Sequence, residues 1–150
     1  MKLVIQRVKQ AKMSCTESEV AIETGLCVFF CAVKGDSESD AILLAKKTAG
    51  LRIFEDENCK MNLSVNDIGG SVLAVPNFTL AADSKKGNRP SFIEAELPER
   101  ADVLFELYKK QLYLNGVGIV KSGVFGADMA VLVGNDGPIT IIMDTNEWKR

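Results

Sequence analysis

No histidine occurs anywhere in this sequence. Its absence removes Ser-His-Asp and Cys-His dyads, the ordinary near-neutral general base and every histidine metal site. Chemistry must then rest on backbone dipoles, hydroxyls, carboxylates, arginine or the substrate itself. Two stretches have the residue types for that. Residues 71–80 read as a strand carrying Pro76 inside it, followed by Asn77, Phe78 and Thr79. Proline cannot donate to a ladder, so position 76 must be an edge, a bulge or a strand end. A bulge there would aim the N–H groups of Asn77, Phe78 and Thr79 out of the ladder, where they suit a developing oxyanion. Residues 131–145 hold two hydrophobic runs around Gly134-Asn135-Asp136-Gly137-Pro138. Asn, Asp and Gly tolerate positive φ and Pro fixes φ, which predicts a hairpin with the dipeptide at its tip. Gly137-Pro138 is either an ordinary turn or a pair of carbonyls with almost no side chain around them. A cis arrangement is accessible to an X-Pro bond, whose trans preference is only ~0.5–1 kcal/mol.

Other candidate groups are weaker. Cys15, Cys27, Cys31 and Cys59 show neither the paired spacing of a zinc site nor the density of a disulfide framework, and are expected to be reduced thiols. Cys27 and Cys31 share one face of a strand-like run. Glu55-Asp56-Glu57 lacks the spaced ligands and glycine of a calcium loop and reads as a solvated turn. No metal or cofactor is expected. The formal net charge of −2 argues against general nucleic-acid binding. Basic residues nevertheless cluster at Lys46-Lys47, at Lys85-Lys86 with Arg89, at Lys109-Lys110 and at Lys149-Arg150. A local patch can grip phosphates on an acidic protein, and solvated faces explain such pairs equally well.

The elements that must position these residues follow from periodicity and punctuation. Residues 2–9, 20–23 and 26–33 read as strands in a meander. Ser37 and the acidic residues after it start a helix over 38–49, closed by Gly50. Short strands are expected at 51–54 and 61–65. Residues 81–90 form a polar, basic loop. Pro98 opens a second helix with an apolar stripe at Val103, Leu104, Leu107, Tyr108 and Leu112, ending at Asn115-Gly116. A strand at 119–120 and a glycine-rich loop at 122–126 lead to the final hairpin.

A chain of 150 residues, 47% hydrophobic and 25% charged, suits a single domain with a sizeable core. No apolar run is long enough to span a bilayer. Strand-like sequence begins at the first residues, which leads us to expect a cytoplasmic protein without a leader. The expected fold is mixed α/β: largely antiparallel, mostly hairpin-connected strands forming a barrel-like sheet body flanked by two helices.

Several strings together resemble one family. They are the N-terminal strand through Arg7-Val8, Leu51-Arg52-Ile53-Phe54-Glu55-Asp56, Lys60-Met61-Asn62-Leu63-Ser64-Val65, Phe78-Thr79-Leu80, Lys86-Gly87-Asn88-Arg89-Pro90-Ser91-Phe92, Gly123-Val124-Phe125-Gly126-Ala127-Asp128-Met129 and Asn135-Asp136-Gly137-Pro138-Ile139-Thr140. In this order, over essentially the whole chain, they are similar to the D-aminoacyl-tRNA deacylases, also called D-tyrosyl-tRNA deacylases.

The resemblance implies a homodimeric ester hydrolase that removes D-amino acids, and glycine, from the 3′-terminal adenosine of tRNA without a cofactor. It implies that Gly137 and Pro138 of one subunit enter the site of the other as the chiral selector, leaving no volume for an L side chain. It assigns Arg7 to bracing that loop through its main chain, for which five fixed donors suit carbonyls better than lysine would. Phe78 and Thr79 become the catalytic strand, with backbone donation preferred to a Thr79 nucleophile because no adjacent base is evident. The ribose 2′-OH of the substrate would assist proton transfer. Asn77 falls at a substrate-binding position, Phe92 lines the adenine pocket or the core, and Lys85, Lys86 and Arg89 meet tRNA phosphates. One departure stands out: Pro76-Asn77 replaces the usual Ser-Gln of the family. A related animal branch that removes mischarged L-alanine shares the proline, yet Gly134 and Ile139 differ from that branch's usual residues, which favours the D-specific assignment. A non-catalytic tRNA-binding dimer of the same fold is the competing expectation.

Overall fold

A computed structural model describes residues 1–149; Arg150, in the last of the basic clusters, lies outside them. Strand β1 (Lys2–Ser14) runs antiparallel to β2 (Glu19–Ile22) through its second half and to β3 (Gly25–Cys31) through its first. Helix α1 (Glu38–Ala49) follows, started by Ser37, whose N–H and hydroxyl both donate to the Asp40 carboxylate at 2.8 Å. A small antiparallel pair, β4 (Phe54–Glu55) and β5 (Met61–Leu63), precedes β6 (Ser71–Pro76). Between β4 and β5, Asp56 accepts from the N–H groups of Asn58 and Lys60, a local turn. Then come a 3₁₀ turn (Phe78–Ala81), helix α2 (Pro98–Leu114), β7 (Ile119–Ser122), β8 (Ala130–Asp144) and a one-turn helix α3 (Thr145–Trp148).

Three expectations need correction. First, β3–β6 and β6–β7 are parallel pairs. Parallel neighbours cannot be joined by a hairpin; α1 lies in the connection from β3 to β6, and α2 in that from β6 to β7. The sheet is still largely antiparallel through β1. Second, β8 is one strand of 15 residues, not a hairpin. Both halves pair with β1 in the same direction, Thr140 against Gln6 and Asn135 against Val8, so the Gly-Pro segment bulges out without reversing the chain. Third, a short helix α3 is present that the sequence did not suggest.

Alternation along the strands divides the core in two. Leu26, Val28 and Phe30 of β3, with Val72 and Ala74 of β6, face the helices and pack with Leu44, Leu104 and Tyr108. Cys27, Leu73 and Val75 point the other way and meet Val8, Ala11, Met13 and Ile22. That second cluster draws on β1, β2, β3 and β6, with Val131 and Val133 of β8 against its edge. The sheet therefore curls around it into a nearly closed barrel-like body. Phe30 stacks at 5.3 Å from both Phe105 and Tyr108, and the Tyr108 hydroxyl donates to Thr48 at 3.0 Å. Truncating such a ring costs about 3–5 kcal/mol.

Candidate active site

β6 stops at Pro76, and the N–H of Asn77 donates to Phe30 O at 2.7 Å, pinning the exit from the sheet. The chain then tightens into the 3₁₀ turn instead of bulging within a longer strand. Leu80 N–H returns to Asn77 O at 3.4 Å and Ala82 N–H to Thr79 O at 3.1 Å. The first N–H groups of any helical turn lack a partner within it. Those of Phe78 and Thr79 are thus available as donors, which is what the expected bulge was meant to supply. The Thr79 hydroxyl donates to Asn77 Oδ1; an amide oxygen orients that proton and is too weak a base to remove it.

Beside the turn lies a cavity of about 350 Å³ with a mostly apolar lining. Phe78 and Phe92 meet edge to face at its mouth, 5.3 Å apart at 75°, with Phe78 59% exposed. Phe30, Pro76 and Phe125 also line the cavity. Gly123 holds the loop bearing Phe125 close: its N–H donates to Ala74 O at 2.8 Å, and a Cβ there would sit 2.7 Å from Met129 Sδ and 3.2 Å from Pro76. Cys31 lies in the wall, its thiol donating to Phe78 O at 3.6 Å. Burial pushes that thiol up to about 11, so it stays protonated near neutrality and is no thiolate nucleophile. Glu96 is the one carboxylate in the lining.

The second assembly is the bulge in β8. The Gly137-Pro138 peptide is cis, and Gly137 sits at φ +126°, where a side chain is disfavoured. Arg7 is 6% exposed beneath it. Its Nε donates to Asp136 O at 3.2 Å and lies 3.3 Å from the Asp136 carboxylate, while Nη1 donates to Ile53 O at 2.8 Å. One guanidinium thus ties the bulge to the segment entering β4.

The structure brings Asn77, Phe78 and Phe92 onto one cavity, with Thr79 on the same turn. Arg7, Gly137 and Pro138 form a separate group that does not line that cavity within one chain. Lys85, Lys86 and Arg89 are exposed on a loop closed at its base by paired 2.8 Å hydrogen bonds between Asp83 and Ser91, next to Phe92. Sequence reasoning missed Cys31, Glu96, Phe125 and Asp136 as site neighbours. Asp136 lies in the same tetrapeptide as Gly137, and Phe125 in a glycine-rich loop already noticed; nothing local marked Cys31 or Glu96.

A family model described as D-Tyr-tRNA(Tyr) deacylase matches residues 4–144. A D-aminoacyl-tRNA deacylase of Staphylococcus carnosus is 46% identical over 149 residues, covering 99% of each chain. One from Paracoccus denitrificans is 50% identical over 146 residues and 97% of each. Among solved structures, a c-Myc DNA unwinding element binding protein superposes with a TM-score of 0.89 at 35% identity, over 96% of this chain and 98% of that one. A probable eukaryotic D-amino acid tRNA deacylase, 15% identical with a TM-score of 0.79 over 95% and 97%, shares the fold.

Proposed function

This chain belongs to the D-Tyr-tRNA(Tyr) deacylase family, and on that premise we propose that it hydrolyses the ester joining a D-amino acid to the 3′ end of tRNA. Glycine mischarged on tRNA is removed by the same route, and L-aminoacyl-tRNA is rejected. Water adds to the ester carbonyl, the tetrahedral oxyanion points at the N–H groups of Phe78 and Thr79, and the C–O bond to ribose breaks to give amino acid and free tRNA. With no side-chain base at hand, the vicinal 2′-OH carries the proton to the leaving oxygen. Asn77 flanks the bound ester, and Lys85, Lys86 and Arg89 hold phosphates of the acceptor end.

The observation that carries this function is the 3₁₀ turn whose unpaired N–H groups lie beside an apolar cavity of nucleoside size. Selection between enantiomers comes from Gly137 and Pro138 of a second copy, held in place by Arg7. A homodimer agrees with β8, which among the described residues pairs only with β1 and leaves its other edge open, with Leu132 67% and Ile142 74% exposed. The protein acts in the cytoplasm, where charged tRNA is.

The test is release of amino acid from D- and L-tyrosyl-tRNA by purified protein, with and without EDTA. Hydrolysis of the D form alone, unchanged by EDTA, is expected. Pro76-Asn77 favours two alternatives: equal hydrolysis of both enantiomers, or of L-alanyl-tRNA, would place the chain with relaxed-chirality deacylases. Salt-dependent tRNA binding without single-turnover hydrolysis would make it a non-catalytic dimer.

A further inference from the structure

Glu96 is the only ionisable oxygen acid among the side chains around the aromatic cavity, and it is half-buried there. Its place is set by the backbone: Glu96 N–H donates to Ala32 O at 3.1 Å, just before α2 begins. One carboxylate oxygen, Oε1, accepts the Leu97 N–H at 2.7 Å. The other has no hydrogen bond, and the carboxylate has no ion-pair partner within 4.0 Å, among the described residues. Of the other polar side-chain atoms of the lining, Asn77 Oδ1 accepts from the Thr79 hydroxyl and the Cys31 thiol faces the carbonyls of Ala32 and Phe78, which leaves the Asn77 amide NH2, a donor, as the other group without a partner among the described residues. An occupant of this slot thus meets aromatic faces on Phe78 and Phe92, suited to stacking a flat ring, and one acceptor oxygen at the edge.

We infer that Glu96 is a base-reading residue, whose free carboxylate oxygen accepts the exocyclic amino group of the terminal adenine stacked in the Phe78–Phe92 slot. This inference rests on the deacylase function proposed above, which puts an adenosine at the reacting end. A carboxylate discriminates by the sign of the group opposite it. The adenine N6 amino group donates to it, whereas a base carrying an oxygen at that position presents lone pairs to a negative charge. Asn77 and Thr79 act on the ester; Glu96 acts on affinity for the base.

The experiment compares two non-hydrolysable probes, the 3′-D-tyrosylamido derivatives of 3′-deoxyadenosine and 3′-deoxyinosine, by direct titration. Wild-type protein is expected to bind the adenosine probe about tenfold or more tighter, the scale of one buried donor–acceptor match set against a mismatch. In Glu96→Gln the amide presents either a donor or an acceptor, so the ratio falls to about twofold or less. Glu96→Ala equalises the two probes by weakening the adenosine one. A role confined to starting α2 would move thermal stability and leave the ratio alone. An unchanged ratio in both variants, or no preference in the wild type, overturns the inference. Hydrolysis of D-tyrosyl-tRNA by the same wild-type preparation judges the deacylase function separately, because the binding ratio needs no turnover.

Discussion

The 3₁₀ turn after β6 and the bulge in β8 both interrupt a strand with a proline, yet they are held in different ways. At the turn, Pro76 ends the ladder and leaves the N–H groups of Phe78 and Thr79 without acceptors among the described residues, beside aromatic rings that are themselves exposed. At the bulge, a buried arginine holds the Asp136 carbonyl with one donor and Ile53 O, outside the bulge, with another. One region is held by backbone hydrogen bonds, the other by a side chain. The difference teaches where mutation will hurt: removing a side chain at the bulge removes the brace itself, whereas at the turn the working groups belong to the main chain.

The sharpest break of that contrast is Arg7→Ala. It strands Ile53 O and leaves the Asp136 carboxylate without its partner, so stability should fall by about 2–4 kcal/mol. The readout is a lower denaturant midpoint at unchanged slope, with deacylation down by about a hundredfold or more. Arg7→Lys keeps the charge without the fork and should recover little. A stable, active Arg7→Ala protein would mean that the bulge holds itself.

Next in size is the pair Phe78→Ala and Phe92→Ala. Each should raise KM for D-tyrosyl-tRNA by about tenfold, as expected for ~1–3 kcal/mol of base stacking. Thermal melting should change little, since Phe78 is already largely in water. A collapse in stability would reassign these rings to the core.

Thr79→Val tests whether the turn works through its backbone. Its N–H is kept and its hydroxyl lost, so kcat should fall by less than about tenfold; a loss of about a thousandfold or more would restore the hydroxyl as nucleophile. The smallest effect lies away from both regions, at Asp40. Burial opposes its charge, but Lys149 at 2.8 Å and the Ser37 donors outweigh that and hold its carboxyl down at about 2. Its folded value is depressed, so its contribution is whole above the ordinary carboxylate range near ~3.9 and fades as pH falls towards about 2. Acid titration of Asp40→Asn by circular dichroism should therefore show a shallower loss over that window than the parent protein.

Much of the fold was legible because local rules carried it. Helices at Glu38–Ala49 and Pro98–Leu114 follow from Ser37, Gly50, Pro98 and Asn115, residues that act on their immediate neighbours. Asn77, Phe78 and Phe92 were singled out through motif resemblance, and the structure sets all three on one cavity. The β8 hairpin failed because a turn-forming tetrapeptide specifies a bend and says nothing of which partner the flanking strands choose. Glu96 and Cys31 were invisible for a related reason: each reaches the cavity only through an element distant in sequence.

The order of residues alone settled what chemistry is excluded, since a chain without histidine cannot house the common triads, and it settled where the chain bends and which faces are apolar. Tertiary structure alone decided that β1 pairs with both halves of β8, that Arg7 is buried under the Asp136 carbonyl, and that the strand end at Pro76 passes into a 3₁₀ turn. The reason is physical: capping and turn preferences act over three or four residues, whereas register and burial depend on which surfaces remain once every strand has competed for the same neighbours.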